Sequence, residues 1–470
     1  MEGDLRDVWL EGDLRFQGDW VEEGDSPNPL ESSPPKPPQS LPVKQGLKRI
    51  EIKGVSSSVL LPVEGDLCHG AYQFPVEEVE IRRCETIWKE LTLLLSFFPN
   101  LSRLYIMECE NISGLGVAEE AETVAGEQEQ QTRVGEDEII TAVAAEGLLL
   151  LPPHLQELWV YSCPRVSILP NPMRDDDHTS ETGGGLQRRL FVHECPEFLS
   201  SCSSSPSFFF PFPTCLQHLL LRGVKHMETL QALSNLTSLT ELELYDILGD
   251  SRDEGLWPLL AHGSLTSLKI RADSDLFLGS HPARPHDKEV FSRSCKLFHL
   301  CINIYAGVLA GPIRSLLSST STLTKLDLRF DAEVEHLTEE QEEALQLLTS
   351  LQELFFFGGG KLQRLPAGLH NLTNLKKFTI NGCSAIRSLP SLPSSLQKIK
   401  IEFSHAIKSL PNSLPSSLEK LKITYCEAIK SLPKNGLPSS MLKLDVHYYN
   451  SEELKRACRK LIGTIPIVRT

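Results

Sequence analysis

A nine-residue motif, Leu-x-x-Leu-x-Ile-x-x-Cys, recurs along this chain and constrains its fold more than any other feature. The motif is clearest at residues 375–383, 396–404 and 418–426, whose first leucines lie 21 and 22 residues apart. A fixed period of this size is typical of solenoid proteins, in which each repeat forms one supersecondary unit. One unit cannot bury its apolar side chains alone, so neighbouring units must stack into a continuous core.

Fourteen units fit the motif, and in each one the alternating apolar residues predict a short strand. Their first residues are Leu47, Val76, Leu101, Leu155, Leu216, Leu239, Leu265, Leu297, Leu323, Leu351, Leu375, Leu396, Leu418 and Met441. Weaker units occur at Leu5 and around Leu190, where Leu186 is one residue out of phase. The predicted fold class is an α/β repeat solenoid, a leucine-rich-repeat horseshoe with a parallel sheet on its concave face. Irregular loops or short helices are expected on the convex face, with a capping helix at the C-terminal end.

The domain organisation follows from where the motif runs. We expect a low-complexity N-terminal piece with one degenerate repeat at residues 1–46, a repeat domain at residues 47–449 and a C-terminal cap at residues 450–470. Residues 117–146 hold nine acidic residues and one Arg and interrupt the motif, which predicts a disordered surface loop. In the cap, Asn450 or Ser451 is expected to be the N-cap of a short helix.

The cellular location is predicted from segments that the chain lacks. Its longest mainly apolar runs, residues 91–98 and 147–151, are too short to span a bilayer. The first residues are acidic and lack the apolar centre of a secretory signal. We therefore expect no membrane association and a cytoplasmic location, with a nuclear pool as an alternative. Extracellular repeats are the other alternative, because glycosylation motifs occur at Asn100, Asn111, Asn235 and Asn371.

The cysteines and the missing catalytic motifs indicate a protein without metal, cofactor or enzymatic activity. Six of the twelve cysteines lie three residues after the last apolar residue of a predicted strand: Cys84, Cys109, Cys163, Cys195, Cys383 and Cys426. A small thiol at that position packs against the turn that leaves the strand, which predicts free buried cysteines rather than disulfides or zinc ligands. The chain has no phosphate loop, nucleophile elbow or zinc-binding His pair, so we expect no enzyme.

Positive charge is concentrated at the C-terminal end. Residues 371–470 contain 16 Lys plus Arg against 6 Asp plus Glu, in a chain with a net charge of −16. Aligned strands place outward-facing lysines in two columns, and aromatic residues in a third column that begins at Phe330. A solvated basic face is one interpretation, and a docking surface with aromatic anchors is the other. The candidate partner-binding residues are Lys377, Lys398, Lys400, Lys420, Lys422, Lys443, Phe355, Phe357, Phe403, Tyr425 and Tyr448. Nucleic acid is not an expected partner, because the chain is acidic overall and has no nucleic-acid-binding module.

The extended repeat Leu-x-x-Leu-x-Ile-x-x-Cys-x-x-Ile-x-Ser-Leu-Pro occurs at residues 418–433 and, with Phe378 at the second apolar position, at residues 375–390. It resembles the repeats of plant intracellular nucleotide-binding leucine-rich-repeat immune receptors, and residues 451–470 resemble the terminus of the grass members. The resemblance implies a non-catalytic recognition module of innate immunity. Such a module senses pathogen effectors or guarded host proteins, and in a full receptor it autoinhibits a nucleotide-switch domain.

The chain departs from these receptors because it has neither a phosphate loop nor a Met-His-Asp motif. We therefore expect the sensor part alone, without the nucleotide-binding domain. Its expected partners are a pathogen effector, a guarded host protein or a nucleotide-binding domain, and in isolation it is expected to be a monomer. The alternative function is a leucine-rich-repeat adaptor scaffold, for instance one that selects substrates for a ubiquitin ligase.

Overall fold

The structure is a computed structural model, and it describes residues 14–18, 47–54, 75–85, 88–117, 147–168, 188–200, 212–225, 233, 235–247, 259, 264–272, 296–304 and 322–470. The chain forms two compact units. The first comprises Met1–Leu216 with Leu220–His226, and the second comprises Gln217–Leu219 with Met227–Thr470. Within the described residues, no helix combines the length and apolar character needed to cross a membrane.

The first unit contains a parallel sheet of stacked repeats. Its elements are β1 (Leu14–Gly18), β2 (Leu47–Lys53), β3 (Glu78–Arg82), α1 (Trp88–Ser96), β4 (Arg103–Met107), β5 (Gly114–Val117), β6 (Leu148–Leu151), β7 (Glu157–Tyr161), β8 (Ser167–Ile168) and β9 (Arg189–His193). Strands β2, β3, β4, β7 and β9 pair in parallel in that order. Strand β1 pairs antiparallel with β2, and β5 pairs in parallel with β6 and β8 in a separate small sheet. Strand β10 (His218–Arg222) has residues in both units.

The second unit continues the same pattern. Its elements are β11 (Glu241–Ile247), β12 (Ser267–Ala272), β13 (His299–Ile304), β14 (Lys325–Phe330), α2 (Glu339–Gln346), β15 (Glu353–Gly358), a 3-10 helix (Ala367–Asn371), β16 (Lys377–Asn381), β17 (Lys398–Glu402), β18 (Lys420–Thr424), β19 (Lys443–Asp445), α3 (Glu452–Arg459) and β20 (Ile467–Arg469). All strands from β11 to β20 pair in parallel with their successors.

These strands confirm the predicted leucine-rich-repeat solenoid with a parallel sheet. Each of the fourteen predicted units contains a strand. The strand starts two residues after the first residue of the unit in every case but one, since β2 starts at Leu47 itself. The weak unit around Leu190 also forms a strand, β9. The capping helix is α3, and its N-cap is Ser451, whose side chain accepts a hydrogen bond from the backbone N–H of Leu454. The proposed degenerate repeat at Leu5 and residues 118–146 lie outside the described residues.

The cysteine position links one repeat to the next. Cys195 Sγ donates to the Val160 carbonyl at 3.7 Å, and Cys426 Sγ donates to the Ile401 carbonyl at the same distance. The six predicted cysteines are buried, as expected. Burial raises the pKa of the Cys383 thiol to about 12, so it stays protonated at neutral pH. In the last repeat Asn450 takes this role, since its Oδ1 accepts from the Cys426 N–H at 3.0 Å.

The chain leaves most strands through a residue with left-handed backbone, the eighth of its unit, which we call the exit position. Its N–H donates to a carbonyl of the next unit. Phe403 N donates to the carbonyl of Thr424, the last residue of β18, at 3.2 Å, and Tyr425 N donates to the carbonyl of the exit residue Tyr448 at 3.3 Å. The non-glycine exit residues have φ between 49° and 58° and are Arg83, Glu108, Ser162, Glu194, Asp246, Phe403, Tyr425 and Tyr448. Such φ values are uncommon for residues with a Cβ, especially bulky ones.

Candidate functional site

The predicted lysine columns are present on the open face of the second unit's sheet, opposite its core. Strand pairing places Lys377, Lys398, Lys420 and Lys443 side by side, and Lys400 beside Lys422. Neighbouring strands lie about 4.8 Å apart, so the ammonium groups are neighbours as the sequence predicted. Six lysines line one concavity of about 200 Å³; its lining residues are Lys377, Thr379, Lys398, Ile399, Lys400, Lys420, Leu421, Lys422, Lys443 and Asp445.

One buried carboxylate, Glu402, offsets two of these lysines. Lys400 Nζ lies 2.6 Å from Glu402 Oε2, and Lys422 Nζ lies 3.0 Å from Oε1. The carboxylate also accepts from Asn381 Nδ2 and Thr424 Oγ1. Burial raises the pKa of Glu402, but the hydrogen bonds from the two lysines outweigh it and leave the pKa below its ordinary value. Glu402 therefore stays ionised at neutral pH and holds Lys400 and Lys422 in place.

The outer members of the first lysine column also have counter-charges, and the two central members do not. Lys377 Nζ lies 3.0 Å from Glu353 Oε2, and Lys443 Nζ lies 3.9 Å from Asp445 Oδ2. Lys398 and Lys420 are exposed, and neither has an ion-pair partner among the residues that the structure describes. The centre of the concavity therefore carries uncompensated positive charge.

Aromatic rings stack beside the concavity at the ends of β17 and β18 and after β19. The Phe403 and Tyr425 ring centroids are 4.4 Å apart with an interplanar angle of 13°, and Tyr448 and Tyr449 lie 6.2 and 5.2 Å from Tyr425. We call these four residues the aromatic stack. Phe403, Tyr448 and Tyr449 are 43%, 57% and 68% exposed, so the stack is a solvent-facing apolar surface. Tyr449 was not predicted from the sequence, because it is an extra residue between the exit position and Asn450, which takes the place of the cysteine.

Three other predicted aromatic residues lie outside the aromatic stack. Phe330 has the register of the exit column but is only 7% exposed, because its ring packs edge to face against Phe356 in the core. Its expected place in the aromatic surface column is therefore wrong. Phe355 and Phe357 form a separate pair on β15 with centroids 6.1 Å apart, and the guanidinium of Arg329 lies 5.0 Å from the Phe357 ring centre.

A further aromatic row lies on the sheet of the first unit and was not predicted. The Trp159 ring stacks on Phe191 with centroids 3.9 Å apart and faces Tyr105 at 6.0 Å. All three are on adjacent paired strands. Tyr105 and Trp159 are each the fifth residue of a predicted unit, so column alignment could have found them, whereas the phase shift at Leu186 hid Phe191.

One group of side chains has the composition of a cation site. The possible ligand atoms of His218, Glu241 and Glu243 all lie within 4.8 Å of one another. A metal ion at this cluster would need the Glu243 carboxylate as a ligand. Lys269 Nζ already donates to Glu243 Oε1 at 2.7 Å, so this carboxylate already has a positively charged partner. Burial raises the pKa of Glu243, but hydrogen bonds from His218 and Lys269 lower it to about 2. The cluster therefore has its own counter-charge and does not call for a metal ion.

Ser267, His299 and Asp327 have the residue types of a nucleophilic triad. Ser267 Oγ lies 3.3 Å from His299 Nδ1, and His299 Nε2 lies 3.0 Å from Asp327 Oδ2. Ser267 and His299 are 5% and 6% exposed on adjacent strands, whereas a nucleophilic Ser must present its Oγ to substrate. This hydrogen-bonded row therefore joins neighbouring strands and offers no accessible nucleophile.

Comparisons with known proteins show similarity at the level of fold. No family model matches the chain, and no curated protein matches it. Among solved structures, a complex of TLR13 with ssRNA13 is 14% identical with a TM-score of 0.39, over 84% of this chain and 50% of that one. The leucine-rich-repeat domain of the type III effector XCV3220 (XopL) is 16% identical with a TM-score of 0.33, over 60% of this chain and 87% of that one.

A third solved structure is the functional domain of InlJ from Listeria monocytogenes, which includes a cysteine ladder. It is 16% identical with a TM-score of 0.31, over 63% of this chain and 64% of that one. The chain spans about half the length of the TLR13 chain. All three are repeat proteins, and at such identities and scores the likeness concerns the fold alone.

Proposed function

We propose that this chain is a protein-recognition module that binds an acidic partner through the lysine-lined concavity and the aromatic stack. The observation that carries the proposal is the pair Lys398 and Lys420, which are adjacent, exposed and without counter-charge in a face where the other lysines have one. Two neighbouring ammonium groups repel each other, and a partner carboxylate that bridges them relieves that repulsion. The repeat solenoid supplies the rigid support for such a surface.

The two parts of the surface have different tasks. Exposed lysines attract an acidic partner over a distance of about 10 Å at 0.1 M salt, so they mainly accelerate association. Exposed aromatic rings such as Phe403 and Tyr448 supply apolar contact area, and contacts of this kind mainly slow dissociation. An acidic protein with an apolar segment beside its carboxylates fits both parts.

The sequence resemblance supports a role in plant innate immunity. In that role the module senses a pathogen effector or a guarded host protein in the cytoplasm, and in a full receptor it keeps a nucleotide-switch domain inactive. The genomic and transcript sequence upstream of Met1 tests this part. A reading frame that encodes a phosphate loop there supports the receptor assignment, and one that encodes a ubiquitin-ligase docking helix favours the adaptor scaffold instead.

Charge reversal tests the docking surface directly. The double variant Lys398→Glu, Lys420→Glu should fold normally, because both side chains point away from the core. Its affinity for a fluorescent hexaglutamate peptide at 50 mM salt should fall about tenfold, since two attractive pairs become repulsive. The matched control is Lys408→Glu, Lys430→Glu, which reverses two exposed lysines of the same two repeats that do not line the concavity. Equal losses in both double variants would show a general charge effect and contradict the proposed site.

A further inference from the structure

The aromatic stack ends abruptly at Phe403. The exit positions of the two preceding repeats are Gly358 and Gly382, so no side chain continues the column in that direction. Gly382 has the same backbone arrangement as the aromatic exit residues, with φ of 73° and an N–H that donates to the Glu402 carbonyl at 3.0 Å. A Cβ placed on Gly382 would meet only backbone atoms of Gly358, at 3.5 and 3.6 Å.

This gap lies against an exposed ring face. One face of Phe403 is covered by Tyr425 at 4.4 Å, and the column runs from strand to strand, so the other face is directed toward Gly382. Phe403 is 43% exposed in consequence. Successive exit positions follow the strand spacing of about 4.8 Å, which is close to the separation of two stacked rings. The gap at Gly382 therefore has the place and the spacing of one more ring.

The backbone at the exit positions is unfavourable for bulky side chains. An L-residue with left-handed backbone is less stable than glycine at the same position, and bulky residues rarely adopt it. Phe403, Tyr425 and Tyr448 nevertheless occupy three successive exit positions with φ of 49°, 57° and 58°. The polar exit residues share this backbone, so the conformation belongs to the exit position, and the three successive rings are what is particular to this end of the sheet.

We propose that the gap at Gly382 is a slot for an aromatic side chain of the bound partner, whose ring stacks on Phe403 and continues the aromatic stack. The proposal rests on the acidic-partner surface and specifies it. Lys398 begins β17 and Phe403 directly follows its last residue, so the two are five residues apart, which corresponds to about 16 Å in extended chain. The partner segment is thus extended, with a Trp, Tyr or Phe about five residues from an acidic pair.

Synthetic peptides test the slot. The probe is Glu-Glu-Gly-Ser-Gly-Ser-Trp with a fluorescent label at its first residue, and its affinity is measured by anisotropy at 50 mM salt. Replacement of Trp by Leu should weaken binding about three- to tenfold, because Leu loses the ring stacking. A shorter probe, Glu-Glu-Gly-Trp, should lose the same factor, because its ring cannot reach the slot while its carboxylates hold the lysines.

Variants of the slot supply the second test. Gly382→Tyr should fill the slot with a ring of the protein itself and abolish the advantage of Trp over Leu. The matched control Gly382→Asn imposes a similar left-handed backbone without a ring, since Asn tolerates it, and should keep the advantage. If Gly382→Tyr fails to fold, Phe403→Ala removes the stacking surface and should abolish the advantage in its place.

The outcomes separate the slot from the wider docking surface. If wild-type protein binds the Trp and Leu probes equally, or if Gly382→Tyr keeps a preference for Trp, the slot is wrong. The docking surface still stands in that case, provided that Lys398→Glu, Lys420→Glu weakens every acidic probe. If the lysine variant binds all probes as well as wild type does, the docking surface itself is wrong.

Discussion

Replacement of Asn450 by Ala should destabilise the C-terminal repeats strongly. Asn450 is 7% exposed, and its amide joins the backbones of the last two repeats. Its Oδ1 accepts from the Cys426 N–H at 3.0 Å, and its Nδ2 donates to the Ile423 and Val446 carbonyls at 2.7 and 2.8 Å. In the Ala variant the Cys426 N–H has no acceptor, which costs about 2 kcal/mol. The Ile423 and Val446 carbonyls each lose one donor, which costs about 0.5–1 kcal/mol for each carbonyl. The expected loss is about 3 kcal/mol.

Repeat proteins transmit such a loss mainly to neighbouring repeats, so the measurement must be local. Hydrogen exchange followed by mass spectrometry should show amides of residues 418–470 exchanging about 100-fold faster, and amides of residues 351–390 changing far less. The control is Asn450→Cys, which installs the side chain found at this position in six earlier repeats and should restore part of the protection. A change below about fivefold in Asn450→Ala, or equal damage in the Cys variant, would refute this account of the position.

Three further predictions concern the core, the acid response and thiol reactivity. Phe356→Ala should lower the free energy of unfolding by about 3–5 kcal/mol in urea titrations, because this fully buried ring packs on Phe330 and Phe378; a loss below about 1 kcal/mol would contradict that packing. The pKa of Glu243 is about 2 when folded and near 4.3 when unfolded, so its contribution to stability is present above pH 4.3 and is lost as the pH falls toward 2. Acid titration of Glu243→Gln should lack this component, and a curve that matches wild type would count against it. Among the described cysteines only Cys215 is exposed, so peptide mapping after brief iodoacetamide treatment should find it alkylated before the others.

The repeat motif predicted the strands because it records which side chains face the core. Leu418, Leu421 and Ile423 are at most 1% exposed, and the lysines between them face outward, so alignment of the motif also predicted strand register. The small sheet of β5, β6 and β8 was not predicted. Its strands lie outside the motif, and their pairing depends on contacts between distant segments that a local pattern does not encode.

The sequence predicted the positions of the lysines in the candidate site but not their ion pairs. The motif placed the six lysines correctly, but it did not show which of them have partners. Glu402 lies on the same face as Lys400, two residues further along β17, and on the strand beside Lys422, so it offsets the charge of both lysines. Its burial depends on side chains of three strands. Pairing of this kind is a property of the assembled sheet, so Lys398 and Lys420 could be singled out only in the structure.

At the exit positions of the aromatic stack, the proposed recognition role competes with folding stability at single residues. A library with all residues allowed at Phe403, Tyr425 and Tyr448 would make this competition measurable. Selection for protease resistance alone should enrich glycine and asparagine, which accept left-handed backbone at low cost. Selection for partner capture should retain the rings. The difference in residue frequencies between the two selections would measure, repeat by repeat, how much folding stability the aromatic rings of the proposed surface cost.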